Sequence, residues 1–259
     1  MFLSQIAKIH TFRFAGLVAG VLGVTLPSPA FAEIMLYPTR VVIDGAKRSA
    51  QVEIINRGDE AETYRIGIVN RRMTELGEIV PADAALPGEQ FAAEMVRYTP
   101  RQVTLQPGAS QTIRISIRKP ADLAAGEYRS HLQFDRIADA AGSADLESAA
   151  AEPAAGVSIV LQTLIGASIP VIVRHGETNA SVALESLKLE PGRNGIPPEL
   201  SFTFRREGNR SVYGDVVATY TAPGTQPVEI GAATGVAVYV PNAERKARLP
   251  LNLPEGVPL

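Results

Sequence analysis

The sequence predicts an all-β protein built from two β-sandwich domains behind an export signal. Three observations predict it. Apolar and polar residues alternate with period two from Glu33 onward, and no helical period is sustained. The strand segments are short and set apart by turn residues drawn from 22 Gly and 19 Pro, without the helices that a parallel sheet needs. A chain of 259 residues, 46% of them apolar, is long enough for two cores of about 100 residues each.

The elements follow in order. Residues 1–32 form a signal peptide. Lys8, His10 and Arg13 precede a 13-residue apolar run from Phe14 to Leu26, and Ala30 and Ala32 supply small residues for cleavage before Glu33. As a helix that run reaches about 20 Å, short of the roughly 30 Å hydrocarbon core, so a cleaved leader is expected rather than an anchor. No later segment is long and apolar enough to span a membrane. The first domain is expected over residues 33–174. Residues 34–43 form its first strand, closed by the turn Asp44-Gly45, and residues 51–56 alternate before the break at Arg57-Gly58-Asp59. Residues 63–69 put Tyr64, Ile66 and Ile68 on one face; Arg71-Arg72 then reads as a solvated hairpin end. Residues 112–118 turn Ile113, Ile115 and Ile117 inward and Arg114 and Arg118 outward. Residues 128–137 carry Leu132 and Phe134 on the apolar face. Residues 138–156, rich in Ala with four acids and no base, are expected to be a mobile loop. A long apolar strand follows as 157–166 and 167–174, and 176–179 is a hinge. The second domain, 175–259, takes strands at 182–189, 200–205, 215–221, 236–240 and 248–253. Its end at Gly256-Val-Pro-Leu259 falls where a turn has just begun, so this domain is expected to be short of its last strand.

Composition excludes several function classes. The formal net charge is −2, without the basic excess of a nucleic-acid binder. The absence of Cys removes disulfides, thiol nucleophiles and thiolate metal sites. After the leader only His131 and His175 remain, too far apart in sequence for a metal site or triad to be expected. His131 and Asp135 share a strand face, but no motif places a hydroxyl nucleophile beside them. Gly-rich phosphate loops are lacking, and Gly88 and Gly195 fall in plain turns. No enzyme activity, metal or cofactor is therefore expected.

Three segments, in order, carry a resemblance. They are Leu36-Tyr-Pro-Thr-Arg-Val-Val-Ile43 with Asp44-Gly45, Tyr98-Thr-Pro-Arg-Gln-Val-Thr-Leu-Gln-Pro-Gly108 with Gln111-Thr-Ile-Arg-Ile115, and Val157-Ser-Ile-Val-Leu-Gln-Thr163. Together they resemble the first strand, middle segment and seventh strand of the periplasmic pilus-assembly chaperones of the chaperone–usher (PapD-like) class. The likeness covers residues 33 to about 174, and the second domain by architecture only. It implies two immunoglobulin-like sandwiches arranged like a boomerang, a periplasmic location, pilin-like subunits as clients and an outer-membrane usher as the recipient. It further implies that the seventh strand is lent to an incomplete client sandwich, a form of β-strand addition. Val157, Ile159 and Leu161 are the alternating set that would fill the client groove, at about 1.5–3 kcal/mol each when fully buried. Val160 and Leu164 give the same segment apolar positions on its other face. Arg40 matches the family's first-strand Arg, which anchors the client's terminal carboxylate.

The family's second anchor, a Lys in the seventh strand, has no counterpart. Its place falls on Gly166 counted from Leu161-Gln-Thr163 and on Pro170 counted back from Arg174. Arg174 is a possible substitute that nothing in the spacing requires, and the departure marks a divergent branch. Tyr128 resembles the tyrosine that pins a corner in immunoglobulin-like sandwiches. The competing expectation is a structural or adhesive sandwich protein of the cell surface, assembling through the strand at 157–163.

Overall fold

The computed structural model describes residues 34–137, 166–193, 196–222, 224 and 226–253. The expected leader, the loop at 138–156 and the donor residues Val157, Ile159 and Leu161 lie outside them. Every regular element described is a strand, except a three-residue 3-10 turn at Ala93–Met95. Among the described residues no helix is long and apolar enough to cross a membrane.

The first sandwich packs two sheets. One has the order β1 (Ile34–Tyr37), β3 (Ser49–Asn56), β9 (Ser110–Ile117), β7 (Val96–Thr99). The other runs β2 (Val41–Ile43), β11 (Ala167–His175), β10 (Gly126–Ile137), β4 (Glu62–Val69), β8 (Gln102–Leu105). Period two sets their inner faces: Ile113, Ile115 and Ile117 are buried while Arg114 and Arg118 are exposed, as the alternation required. The core joins them to Val52, Ile54, Tyr64, Ile66, Leu132, Phe134, Val171 and Val173. A small separate hairpin, β5 (Arg71–Met73) with β6 (Ile79–Pro81), projects from this sandwich.

Two expectations for this half change. The first strand is not one strand but two. β1 pairs antiparallel with β3, and β2 pairs parallel with β11 in the opposite sheet. Pro38 between them has no N–H to give a ladder, so pairing stops there and the chain crosses from one sheet to the other. Arg71-Arg72 is not a solvated hairpin end. Arg72 grips the Glu89 carboxylate with Nε and Nη2, both at 2.8 Å, and also donates to the Ala84 carbonyl at 2.7 Å. Arg71 donates to Gln133 Oε1 at 2.7 Å.

The second sandwich sets β12 (Ala180–Glu190), β13 (Glu199–Gly208) and β16 (Glu244–Pro250) against β14 (Val212–Tyr220) and β15 (Val228–Val238). Phe202 and Phe204 meet edge to face at 5.2 Å, among Ile230, Val238, Leu249 and Leu251. The strand at 236–240 begins earlier than the alternation indicated, because Gly231 and Gly235 interrupt the apolar pattern without ending the pairing with β14.

The two sandwiches belong to one unit, 32–259, and touch through a third apolar cluster. In it Met73 of β5 and Ile172 of β11 pack on Ala237 and Tyr239, with Val42 half-buried against them. Asn242 Nδ2 donates to the Met73 carbonyl at 3.0 Å, and the Lys246 N–H to the Glu75 carbonyl at 2.7 Å. The β5–β6 hairpin therefore clasps the second sandwich.

Candidate functional site: a cationic crevice between the sandwiches

Sheet register assembles the site. Val42, Ile172 and Arg129 are paired across β2, β11 and β10, so their side chains project from the same face. Arg174 pairs with Glu127 one row along that face, and Pro170 pairs with His131 in the row on the other side. Arg40 stands one residue before β2, where the register continued from Val41 sets it level with Pro170. This is the outer face of the first sandwich. Its alternating polar residues Glu127, Arg129 and His131 are nonetheless buried, because the second sandwich and the β5–β6 hairpin cover them.

Arg40 comes to rest against the second sandwich. Its Nη2 donates weakly to Ser211 Oγ at 3.4 Å, and its guanidinium carbon lies 4.4 Å from the centroid of the Tyr213 ring and 5.7 Å from that of Tyr239. Arg129, only 6% exposed, lies 4.2 Å from the centroid of the same Tyr239 ring. Arg40 Nη1 and Arg129 Nε and Nη1 are buried without a hydrogen-bond partner. Burial lowers the pKa of both guanidiniums, and Tyr239 and Glu127 work against that shift. Burial likewise raises the Tyr239 phenol, opposed by Arg40 and Arg129. Arginine stays charged despite such shifts, so the crevice holds two desolvated positive charges.

The nearby acids Glu127 and Glu89 attract them without forming a hydrogen bond to either guanidinium. Glu127 Oε2 accepts from Arg174 Nε at 3.0 Å, and Arg174 Nη1 reaches Asp44 Oδ2 at 3.3 Å. Arg174 is thus committed to two carboxylates and is no free substitute for the missing Lys. Arg206 is committed as well, donating to the carbonyls of Asn242, Gly208 and Arg210. What remains is a buried polar cluster against Tyr213 and Tyr239, in which N–H groups of Arg40 and Arg129 and the Oε1 of Glu127 lack hydrogen-bond partners.

Arg40, the anchor that the resemblance implies, lies one residue before β2 and against Tyr213 and Ser211. Val157, Ile159 and Leu161 cannot be placed, since they fall outside the described residues. Arg129, Tyr239, Tyr213 and Glu127 were not singled out from the sequence. The available signal was the string Glu127, Arg129, His131 at alternate positions, which period two assigns to a solvated face. His131 and Asp135 do share a strand face, but His131 is buried and Asp135 Oδ1 accepts from Gln133 Nε2 at 2.6 Å. Tyr128 donates to the Ala124 carbonyl at 3.0 Å, four residues upstream, the bond of a tyrosine corner.

Similar solved structures include fimbrial chaperones. One is the CsuC–CsuE chaperone–tip adhesion subunit pre-assembly complex from archaic chaperone-usher Csu pili of Acinetobacter baumannii, with 11% identity, 87% of this chain and 90% of that one covered, and a TM-score of 0.44. The E. coli chaperone DraB gives 16% identity, coverage of 86% and 87%, and a TM-score of 0.39. The Salmonella enterica SafA pilin in complex with the SafB chaperone gives 14%, 87% and 86%, and 0.41. No protein-family model matches the sequence, and no curated protein matches it.

Proposed function

We propose that this chain is a periplasmic chaperone that holds pilin-like subunits by lending them a strand and delivers them to an outer-membrane usher. The observation that carries the reading is Arg40, held against Tyr213 and Ser211 with Nη1 buried and unpaired. A partly desolvated guanidinium with an unpaired N–H costs stability, and a ligand carboxylate received there offsets that cost. The sequence before β11 supports strand donation. Among the described residues β10 pairs on one side with β4, from His131 to Ile137, and on the other with β11, from Gly126 to Phe134. The chain before Ala167 includes Val157, Ile159 and Leu161, whose alternate apolar side chains suit the groove of an incomplete client sandwich.

The test is co-purification of clients from the periplasm with wild type, an Ile159→Glu/Leu161→Glu double variant and Arg40→Ala, alongside a thermal melt of each protein alone. The double variant is expected to melt as wild type and to lose its clients, because two charges cannot enter an apolar groove. Arg40→Ala is expected to weaken capture about tenfold or more, and the Arg40-dependent share of wild-type binding to fade with salt while the apolar share persists. A double variant that unfolds makes the strand face internal and refutes strand donation. Variants that fold and retain clients as wild type does refute the chaperone reading, and a wild type that self-polymerises without clients supports the structural alternative.

A further inference from the structure

The β5–β6 hairpin and the loop that follows it meet the second sandwich as two prongs. We propose that residues 71–89 form a latch that fixes the second sandwich against the first, and that the ion pair Arg72–Glu89 holds this latch closed.

Both prongs meet the turn between β15 and β16. The hairpin is the first: the Met73 carbonyl accepts from Asn242 Nδ2 at 3.0 Å and the Glu75 carbonyl from the Lys246 N–H at 2.7 Å, with Lys246 Nζ 3.3 Å from the Glu75 carboxylate. At its tip Gly77 has φ +86, and a Cβ there would collide with the guanidinium of Arg245, itself tied to the Ala237 carbonyl. The loop is the second prong, where a Cβ on Gly88 would stand 3.2 Å from Pro241 Cβ. A cavity of about 360 Å³ lies between hairpin and turn, lined by Met73, Glu75, Pro241, Asn242, Ala243 and Glu244. Polar bonds therefore hold this grip more than close packing does.

Arg72 joins the prongs. It lies on β5, and its Nε and Nη2, one edge of the guanidinium, each bond one oxygen of Glu89 at 2.8 Å. Nη2 also donates to the Ala84 carbonyl at 2.7 Å, and Glu89 Oε2 accepts from the Leu86 N–H at 2.8 Å, so the loop is wrapped around the pair. The Glu89 side chain is only 6% exposed. A bidentate pair shielded in this way fixes geometry, which a single exposed ion pair does not.

The linker by itself is a pivot rather than a brace. Gly176 follows β11 with φ +65. Beyond it the Asn179 N–H donates to Asn209 Oδ1 at 2.9 Å and Asn209 Nδ2 to the Glu177 carbonyl at 3.0 Å, so these residues travel with the second sandwich. Apart from the latch, the sandwiches meet at the contacts of Arg40 and Arg129 with Tyr213 and Tyr239 and at a small apolar cluster, to which the hairpin itself contributes Met73. Because the hairpin helps to cover Glu127, Arg129 and His131, opening the latch is the step that lets water into that row.

The chain has no Cys, so spin labels on Ser116→Cys in the first sandwich and Thr219→Cys in the second, both exposed positions, report one distance by pulsed electron paramagnetic resonance. The labelled protein is expected to give a single narrow distance. Glu89→Gln, Arg72→Met and Gly77→Ala are each expected to broaden it about twofold or more. In each, the Lys246 N–H is expected to exchange about tenfold faster, while the amides of β9 keep their rates. Combining Arg72→Met with Glu89→Gln should add nothing to either change alone, since one pair is broken. If the ion-pair variants do not fold, Gly77→Ala, which spares the pair, decides whether the latch exists. A narrow distance and slow Lys246 exchange in folded Glu89→Gln and Gly77→Ala overturn the latch, as does a broad distance before any substitution. Broadening in Gly77→Ala but not in Glu89→Gln overturns the part given to the ion pair.

Discussion

Glu127→Gln separates what the crevice does for the fold from what it does for a ligand. The Glu127 side chain is 1% exposed, and its Oε2 accepts from Arg174 Nε at 3.0 Å. At that separation and an effective dielectric of about 20, the Coulomb attraction is about 5.5 kcal/mol, partly offset by desolvation of both ions. Removing one partner of a buried pair costs about 3–5 kcal/mol, because the other charge stays buried without compensation. Here the loss belongs near the lower end, about 3 kcal/mol, since Arg174 is 14% exposed and keeps Asp44. The same substitution removes one of the charges that oppose the desolvation of Arg40 and Arg129, and Arg129 keeps Glu89. It is therefore expected to lower stability and to raise the affinity for an oxyanion several-fold. Urea unfolding followed by circular dichroism, suitable for a chain without Trp, measures the first effect; titration with acetate measures the second. A stability loss below about 1 kcal/mol refutes the buried-pair reasoning, and weakened acetate binding refutes the electrostatics of the cluster.

His131, buried beside Arg129 and Arg71, has its pKa lowered to about 3, chiefly by desolvation. It is neutral in the folded protein and gains a proton on unfolding at acid pH, so its contribution is intact above about pH 6.5 and is lost as pH falls towards about 3. Comparing wild type with His131→Gln should show wild type losing about 1.4 kcal/mol more per pH unit through that window; parallel stability curves for the two would exclude a buried neutral histidine. Asn56 is fully buried, its Nδ2 donating to the carbonyls of Glu60 at 2.7 Å and Leu105 at 3.0 Å and its Oδ1 accepting from the Gly58 N–H at 2.9 Å. Asn56→Ala leaves these backbone groups unpaired and should cost about 2–4 kcal/mol in denaturant unfolding, whereas a cost under about 1 kcal/mol would mean that the turn at 57–60 re-pairs them on its own.

The all-β class and most strands were legible in the sequence because period two is a local property. Ile113, Ile115 and Ile117 declare their face without reference to any neighbour, and Phe202 and Phe204 do the same in the second sandwich. Arg40 was singled out by its place in Leu36-Tyr-Pro-Thr-Arg-Val-Val-Ile43 as what the resemblance implies, but the sheet change at Pro38 that sets it against the second sandwich was not legible. A proline marks where a ladder must stop but not which partner the chain takes up next. The rest of the crevice depends on what covers a face. Alternation places Glu127, Arg129 and His131 opposite Leu132 and Phe134, and a lone sandwich would leave that polar face in water. Only the tertiary structure sets Tyr239, Ser211 and the β5–β6 hairpin over it, turning a solvated row into a buried and partly unpaired one. Sequence by itself thus determined the strands and their two faces, because side-chain period is fixed within a few residues. The tertiary structure decided which polar face became buried, because desolvation is created by elements far away in the chain.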